Sequence, residues 1–428
     1  MMVGLLFGSM LVLVLIGIPV SFAIGLSTVF TIVFSDIQVP LTLITHKIFT
    51  GIDSFPLMCI PFFIVAGEFM GAGDISQKLI GLADIFVGRI RGGLAHVNIL
   101  ASMLFGGVSG SATADVTSIG SILIPTMNNV GYDEDFSVAV TATSATIGII
   151  IPPSNAMIVY ATLAAGVSIA DMFLAGVIPG ILVGFSLMAV AYVISVKRGY
   201  QCGEKMSWKM KAKAFGEGIV PMFTFVIILG GVLGGIFTPT ESAVVAALYS
   251  FILAVFVYRT VKWGQIPKLL FNSAVTTASV LLLIGISSIF GWLLAYAHIP
   301  EVIAEFLFSI TTNRYILYLL IFMMILIVGT FMDLTPALII FVPIFLPIVQ
   351  KLGMDAIQFG IFMIVGLAIG LYTPPVGTVL FVTCNIGNIT IEKAVKAILP
   401  FMGAMMVIAL LVLYVPQVTL WLPHLING

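Results

Sequence analysis

The sequence predicts an all-α polytopic membrane protein made of two inverted repeats, each with about five spans, a re-entrant hairpin and a discontinuous helix. Composition, long apolar stretches and an internal duplication support this prediction. Of the 428 residues, 61% are hydrophobic and only 8% are charged, whereas roughly a quarter are charged in soluble proteins. So few charges cannot cover a water-facing surface, which excludes a soluble enzyme. The net charge of −1 gives no reason to expect a nucleic-acid partner.

Long apolar stretches predict where the chain crosses a lipid bilayer. Two of them, 2–34 and 218–258, are too long for one span, and each contains a proline, Pro19 or Pro239, where it can fold into two. Two others, 94–130 and 315–350, have a polar or proline-rich centre and are predicted to be re-entrant hairpins. The remaining apolar stretches are 54–72, 136–166, 170–196, 271–297, 357–389 and 394–423.

The chain also resembles itself at an offset of 222 residues. The matches include glycine, proline and aspartate in one register, which is rare by chance in apolar sequence: Gly107 with Gly329, Thr113 with Thr335, Pro125 with Pro347, Asp133 with Asp355, and Pro152 with Pro374. This duplication predicts halves at 1–215 and 216–428. We expect scaffold spans at 1–53 and 218–270, and transport elements at about 54–166 and 271–389.

Basic residues predict the orientation. An odd number of spans in each half makes the two halves inverted relative to one another. If the basic loop 197–213 is cytoplasmic, 14 of the 17 Lys and Arg fall inside, and only Lys47, Arg314 and Lys351 fall outside. Both termini are then outside, and the two hairpins enter from opposite sides. The amphipathic segments 35–53 and 259–270 hold corresponding places and are predicted to lie along the interface as arms.

Two proline pairs interrupt helices beside the hairpins, at Pro152-Pro153 and Pro374-Pro375. A proline pair removes two backbone donors, so the preceding carbonyls lose their helical partners. Inverted repeats bring such breaks and hairpin tips together near mid-membrane, where free carbonyls hold cations and helix N-termini hold anionic groups. The alternative is that each pair is only a kink that eases packing.

Ionisable residues inside apolar segments are costly, and so they are candidate functional groups. Asp333, at the second hairpin tip, is the best candidate for a cation ligand, because its carboxylate has oxygens of Gly329 and Thr335 nearby. Asp115, near the first tip, either serves there or caps the helix that follows it.

Two glutamates and a set of polar residues complete the candidates. Glu241 follows Thr-Pro-Thr in the first turn of a helix and is predicted to cap it, whereas Glu68 is either a proton site or an interhelical hydrogen-bond partner. The hydroxyl-rich stretch 141–146 is expected to bond its own backbone or a neighbouring helix. The predicted substrate-binding residues, near the breaks and the first tip, are Ser154, Asn155, Thr113 and Thr378.

Five motifs together make the chain resemble the large membrane subunit of the tripartite ATP-independent periplasmic (TRAP) transporters. The resemblance covers essentially the whole chain. The motifs are GIPVSFAIG at 17–25, FGGVSGSATAD at 105–115, IPPSN at 151–155, FTPTE at 237–241 and YTPPVG at 372–377.

The resemblance implies a sodium-coupled, elevator-type importer of the bacterial inner membrane, not an enzyme. It implies a small four-helix membrane subunit, expected here as a separate chain, and a periplasmic substrate-binding protein. Family substrates are organic acids such as C4-dicarboxylates and sialic acid, and general likeness favours sialic acid. The resemblance also implies two or more Na⁺ ions where hairpin tips meet the breaks. Carried over, one site takes Ser109, Gly110, Ser111 and Pro152, and the other takes Gly329, Asp333, Thr373 and Gly377.

Two other functions fit parts of the sequence. An intramembrane aspartyl protease would use Asp115 and Asp333, but the Gly-x-Gly-Asp motif is missing, and both residues are explained as hairpin-tip groups. A channel or non-transporting scaffold is disfavoured because the two hairpins resemble paired gates on opposite sides. The sequence does not identify the substrate or the Na⁺ stoichiometry.

Overall fold

The protein is described by a computed structural model that covers residues 2–35, 40–72, 75–203, 207–374 and 376–427. Some predicted features lie outside these described residues. They are Asp36 and Gln38 of the first arm, Lys205 of the basic loop, and Pro375 of the second proline pair.

The described chain is helical, apart from turns and one isolated bridge between Arg91 and Cys202. The helices of the first half are α1 (Met2–Leu15), α2 (Val20–Phe34), α3 (Thr42–Ile52), α4 (Cys59–Ala72), α5 (Ile75–Val87), α6 (Gly93–Ser109), α7 (Ala112–Asp115), α8 (Ser121–Asn129), α9 (Glu134–Ala145), α10 (Asn155–Leu163) and α11 (Ile169–Arg198). Those of the second half are α12 (Trp208–Leu233), α13 (Pro239–Ile252), α14 (Ile266–Tyr296), α15 (Ile299–Ile310), α16 (Arg314–Phe331), α17 (Leu334–Lys351), α18 (Ala356–Gly370), α19 (Thr378–Gly387), α20 (Ile391–Tyr414) and α21 (Gln417–Asn427).

Short turns of other helix types extend several of these helices. A π-helical turn, Val116–Gly120, joins α7 to α8, and a 3₁₀ turn, Thr146–Ile149, extends α9. The others are the 3₁₀ turn Phe55–Met58 before α4, the π turn Leu253–Val257 after α13 and the 3₁₀ turn Trp263–Gln265 before α14.

Local sequence explains where key helices begin. The Thr238 hydroxyl accepts a hydrogen bond from the Glu241 backbone N–H at 3.2 Å, and the Glu241 carboxylate accepts one from the Thr238 N–H at 2.8 Å. This capping box confirms the predicted role of Glu241. The Asp355 carboxylate accepts the Ile357 N–H at 2.7 Å and forms a simple N-cap of α18.

The helices are long and apolar enough for a multi-pass membrane protein. Eight helical segments of the described chain can cross a bilayer by length and composition, among them α11, α12, α14 and α20. Shorter apolar helices, including α1, α2, α6, α18 and α19, lie among them. The all-helical membrane fold predicted from the composition is therefore confirmed.

Three features differ from what the apolar stretches of the sequence predicted. Helices α5 and α15 were not predicted, because both are short and amphipathic. The segment 259–270 is not a separate arm, since α14 begins at Ile266 and runs unbroken for 31 residues. At 1.5 Å per residue this helix is about 46 Å long, longer than the roughly 30 Å hydrocarbon core.

The two interrupted helices form the centre of the molecule. Every residue from Phe136 to Ala145 in α9 and from Gln358 to Gly370 in α18 is buried. Both helices end before a non-helical segment, after which α10 and α19 begin. Helices buried all round must be enclosed by others, and the first break is buried with them, whereas Pro374 and Val376 of the second break are exposed.

Candidate ion and substrate site

The first hairpin, α6 with α7–α8, touches the first break through its glycine tip. Gly110 has φ +59°, and a Cβ there would lie 2.9 Å from the Pro153 carbonyl oxygen and 3.3 Å from the Asn155 nitrogen. Only glycine combines this left-handed backbone with so close an approach. The tip is thus in contact with the backbone of the break.

The second hairpin, α16 with α17, meets the second break in a comparable way. The Val376 backbone N–H donates a hydrogen bond to the Thr330 carbonyl at 3.2 Å. A Cβ at Gly370 would lie 2.3 Å from the Gly329 carbonyl carbon, and one at Gly106 would lie 2.2 Å from the Gly148 Cα. In both halves, therefore, a pair of glycines lets the hairpin pack backbone-to-backbone on the interrupted helix.

Both tips and both breaks border one central cavity of about 130 Å³. Hairpin 1 contributes Ser111 and Thr113, hairpin 2 contributes Asp333, and α10 and α19 contribute Asn155 and Thr378. Residues from both halves therefore face one cavity of mixed polar and apolar lining, as the sequence predicted for the hairpin tips and the breaks.

A larger cavity of about 720 Å³, here called the hairpin-1 cavity, lies between α4, α5 and hairpin 1. Its polar lining includes Glu68, Gln77, Thr117 and Ser118, and it shares residues such as Asn155 with the central cavity. The two cavities are therefore neighbours. Glu68 makes no hydrogen bond with another described residue, so the interhelical bond considered for it is not observed.

Among the described residues that line the two cavities, the side chains that can carry a charge are all acidic. Among the described residues that line them, none is lysine or arginine, whereas Glu68 and Asp333 each contribute a carboxyl group. An anion bound here would meet hydroxyls, an amide and helix N-termini, but no basic side chain. A cation is the natural complement of this lining.

The first predicted sodium site contains an oxygen that lacks a partner. The Ser109 hydroxyl is buried and has no hydrogen bond to the described chain. The Ser111 and Thr113 hydroxyls share a hydrogen bond at 3.1 Å, and the Pro152 carbonyl lies 3.5 Å from where a Gly107 Cβ would be. Hydroxyl and carbonyl oxygens at a helix break are ligands that suit a hard cation.

The second predicted sodium site contains the Asp333 carboxylate and backbone carbonyls near Gly377, of which the Leu371 carbonyl already accepts the Val379 and Leu380 N–H groups at 3.0 and 3.3 Å. The Thr378 hydroxyl donates to the Asp333 carboxylate at 3.4 Å. Gly377 has φ +40°, and a Cβ there would lie 3.0 Å from the Thr373 oxygen and 3.2 Å from the Leu371 oxygen. The residues present therefore fit a small hard cation. The Thr373 hydroxyl itself donates to the Ile369 carbonyl at 2.6 Å.

Three of the four predicted substrate-binding residues line the central cavity. Asn155, Thr113 and Thr378 face it, but Ser154 is not among its lining residues. The Ser154 side chain is fully buried and donates to the Ile149 carbonyl at 2.7 Å, which satisfies a backbone group freed by the break. This geometry favours Asn155 over Ser154 as a substrate contact.

Asp115 does not cap the helix that follows it. The N-cap of α7 is Ser111, whose hydroxyl accepts the Ala114 N–H at 3.4 Å, and the Asp115 side chain makes no capping bond. The capping alternative is therefore wrong: Asp115 lies within the first turn, where its side chain points into the packed interior. It is also absent from the lining of the cavity that contains Asp333, so the paired carboxylates of the protease alternative are not observed.

The hydroxyl-rich stretch of α9 is structural, as predicted. Thr143 and Thr146 donate to backbone carbonyls of their own helix at 2.8 Å, and Ser144 donates to Asn98 of α6 at 3.2 Å. These groups bind hairpin 1 to the interrupted helix.

Sequence reasoning missed most of the hairpin-1 cavity. A signal was available, because Thr113, Thr117 and Ser121 recur every four residues and so share one face of the second hairpin arm. Gln77 and Thr276 could not be found in this way, since α5 and α14 bring them to the cavity only in the folded chain.

Helix breaks and hairpin tips enclosing a polar cavity inside a helical membrane protein are the architecture of a secondary transporter. Sequence comparison identifies the family. A model of the tripartite ATP-independent periplasmic transporter DctM component matches residues 7–418. The chain therefore belongs to the large permease subunits of the TRAP transporters, which confirms the resemblance seen in its motifs, and it is a transporter subunit and not an enzyme.

Curated relatives match along nearly the full length. The uncharacterized protein YgiK of Salmonella typhimurium is 44% identical, over 98% of this chain and 97% of its own. The C4-dicarboxylate TRAP transporter large permease protein DctM of Rhodobacter capsulatus is 35% identical, over 99% of both. The sialic acid TRAP transporter large permease protein SiaM of Vibrio cholerae is 36% identical, over 100% and 99%.

A solved transporter structure shares the fold. The YdaH transporter of Alcanivorax borkumensis matches with a TM-score of 0.65, over 87% of this chain and 88% of that one. The identity is 13%, so this likeness concerns the fold alone.

Proposed function

We propose that this subunit carries out Na⁺-coupled import of a small organic acid. The observation that carries the proposal is the central cavity, which joins both hairpin tips and both breaks and contains carboxyl and hydroxyl groups but, among its described residues, no basic side chain. An anionic substrate that enters such a cavity needs a positive charge from elsewhere. Sodium ions bound at the tips supply that charge, so substrate and ions bind best together.

The candidate ligands support two ion sites, one for each half. Ser109, Gly110, Ser111 and Pro152 surround the first, where the Ser109 hydroxyl lacks a partner. Asp333 and the Thr373 carbonyl beside Gly377 are the candidate ligands of the second. Asn155 and Thr378 begin α10 and α19, so the positive ends of both helices point to the same space and attract a carboxylate.

The location and partners follow from the family and the charge distribution. We place the subunit in the bacterial inner membrane with both termini periplasmic, because this leaves only three basic residues outside. A small four-helix membrane subunit and a periplasmic substrate-binding protein complete the transporter. Movement of the hairpin-bearing part against a scaffold, as in an elevator, alternates access to the site.

The substrate belongs to the small organic acids. Relatives named for C4-dicarboxylate and for sialic acid are 35% and 36% identical, so identity does not choose between them. Asn155, Thr113 and Thr378 offer hydroxyl and amide groups that suit either a sugar acid or a dicarboxylate.

The test is uptake into proteoliposomes that contain this chain and its small subunit. Radiolabelled acids of both types are supplied with the cognate binding protein, under an inward Na⁺ gradient or with K⁺ in place of Na⁺. We expect accumulation of one acid only with both Na⁺ and the binding protein. Uptake indifferent to both, or single-channel currents in planar bilayers, would overturn the proposal.

A further inference from the structure

Basic and aromatic side chains cluster at one end of the helices α12, α13 and α14, away from the central cavity. Helix α12 begins at this end, and α14 also begins there, because α13 packs against α12 and returns the chain to it. Two segments carry the cluster, 207–217 and 256–271, and together they are here called the basic rim. The Tyr258 hydroxyl joins the two segments by donating to the Glu217 carbonyl at 2.7 Å.

The basic rim carries more positive charge than its protein neighbours balance. Its exposed basic side chains are those of Lys209, Lys213, Arg259, Lys262 and Lys268. Glu217 is the one acidic residue in these two segments, and its carboxylate already pairs with Lys78 at 2.6 Å. Asp84 of α5, which packs against α12, is only partly exposed. Most of the charge of the rim is therefore open to an external anion.

Exposed aromatic rings indicate the depth of the basic rim in the membrane. Trp208 is 84% exposed at the start of α12, and Trp263 is 67% exposed just before α14. Further along the same helices, Phe215 and Phe271 are exposed as well. Tryptophan at the ends of membrane helices lies at the level of the lipid headgroups, while apolar side chains beyond it face the acyl chains. The lysines of the rim therefore lie at the level of the lipid phosphates.

The combination of charge and apolar surface identifies the partner. A soluble anion would pair with the lysines but would leave Trp208, Phe215 and Phe271 uncovered, whereas a phospholipid has both a phosphate and acyl chains. Groups of roughly four to eight basic residues at the end of membrane helices are typical of sites for anionic lipids. We propose that the basic rim binds anionic phospholipids, whose phosphates pair with its lysines and whose acyl chains cover the exposed phenylalanines.

Quenching of tryptophan fluorescence by brominated lipid tests the proposal. The full-length chain with Trp292→Phe and Trp421→Phe keeps only the two tryptophans of the rim. It is reconstituted in vesicles of equal phosphatidylglycerol and phosphatidylcholine, of which one or the other is brominated in both leaflets. We expect brominated phosphatidylglycerol to quench about threefold more strongly, because it is enriched at the rim. Equal quenching by the two lipids would overturn the proposal.

A matched pair of charge variants shows whether the rim itself is responsible. Lys209→Gln combined with Lys213→Gln should remove most of the preference for phosphatidylglycerol. Lys393→Gln combined with Lys396→Gln removes the same charge from exposed lysines of α20, outside the rim, and should keep the preference. An equal loss in both double variants would attribute the effect to net charge and contradict a site at the rim.

Thermal unfolding of the unaltered chain in detergent, followed by circular dichroism, needs no tryptophan substitution. Phosphatidylglycerol should raise the midpoint more than phosphatidylcholine does, and this difference should shrink in Lys209→Gln combined with Lys213→Gln. Sodium phosphate, compared with sodium chloride at equal ionic strength, should have no such effect. Stabilisation by phosphate equal to that by phosphatidylglycerol would make the rim a site for soluble anions and overturn the proposal. Neither measurement involves transport, so both are independent of the proposed function.

Discussion

At the residue scale, two aspartates near hairpin tips have opposite surroundings. Asp333 faces the central cavity, where the Thr378 hydroxyl donates to it, whereas Asp115 is enclosed by α6 and α9. The same side chain therefore has a cavity and a hydroxyl donor beside it in one hairpin, and neither of these in the other. Burial and the available partners make the difference.

The first prediction concerns the ion site. Asp333→Ala should raise the Na⁺ concentration for half-maximal uptake by about tenfold, which corresponds to about 1.4 kcal/mol, because it removes the charged ligand. Uptake at varied Na⁺ measures this. Asp53→Asn, which removes an exposed carboxylate at the end of α3, is the control and should leave the Na⁺ dependence unchanged. Identical Na⁺ dependence in both variants would remove Asp333 from the site.

Residue-scale reasoning from sequence succeeded where a short local pattern decides the geometry. Thr-Pro-Thr-Glu forms a capping box in almost any context, so the role of Glu241 was predictable. Asp115 and Ser154 were harder, because the direction of their side chains depends on neighbours distant in sequence. Asp115 is fully buried without a hydrogen-bond partner in the described chain, and the Ser154 hydroxyl donates to the Ile149 carbonyl.

At the element scale, close glycine contacts set the position of each hairpin against its interrupted helix. Gly106 faces Gly148, and Gly329 faces Gly370. Added side-chain atoms would have to displace backbone, which packed interiors resist.

The second prediction tests this contact. Gly106→Ala should destabilise the protein by roughly 1–3 kcal/mol, because its Cβ would lie 2.2 Å from the Gly148 Cα. Thermal unfolding in detergent measures the loss. Gly8→Ala in α1, where nothing lies within 4 Å of the added Cβ, is the matched control and should be neutral or slightly stabilising. Equal midpoints of thermal unfolding for Gly106→Ala and Gly8→Ala would show that the contact between Gly106 and Gly148 is loose.

The third prediction concerns the first break. Pro152→Ala should reduce Na⁺-driven uptake more than Pro56→Ala does. In the proposed mechanism Pro152 keeps carbonyls of the break free to hold ions, whereas Pro56 occupies a first-turn position that tolerates alanine. Initial uptake rates, normalised to the amount of protein in the vesicles, provide the comparison. Similar losses in the two variants would mean that the break is only a packing kink.

Element boundaries were predictable where proline and glycine mark them, and less so elsewhere. Helices α5 and α15 were not predicted, because an amphipathic helix of 12 or 13 residues lacks the long apolar stretch that identifies a membrane-spanning helix. The segment 259–270 was predicted to be a separate arm, but no proline or glycine between Lys268 and the following apolar residues ends the helix there. Helix α14 therefore includes the end of this segment.

At the scale of the whole molecule, the hairpins should enter from opposite sides of the membrane. Asn129 and Lys351 lie at the ends of α8 and α17, 222 residues apart, and both are exposed. They are equivalent positions in the 222-residue register of the sequence, and their labelling therefore tests the predicted inversion directly.

The fourth prediction uses these two positions in a variant that lacks the exposed native Cys202. A membrane-impermeant thiol reagent should label Lys351→Cys in spheroplasts, and should label Asn129→Cys only after the membrane is permeabilised. This outcome follows from the proposed orientation, in which the basic loop is cytoplasmic. Labelling of both positions from the same side would contradict the inverted arrangement and the transport mechanism that depends on it.

The sequence alone determined the class of protein, its family and the helix breaks, because hydropathy, proline pairs and glycine motifs act locally and withstand changes in packing. Only the tertiary structure decided that Asn155 and not Ser154 faces the central cavity, that Glu68 lines the hairpin-1 cavity, and that Asp115 is buried without a counter-charge. The reason is physical: the environment of a polar side chain in a membrane protein is set by helices far away in sequence, and no local pattern encodes which of them will surround it.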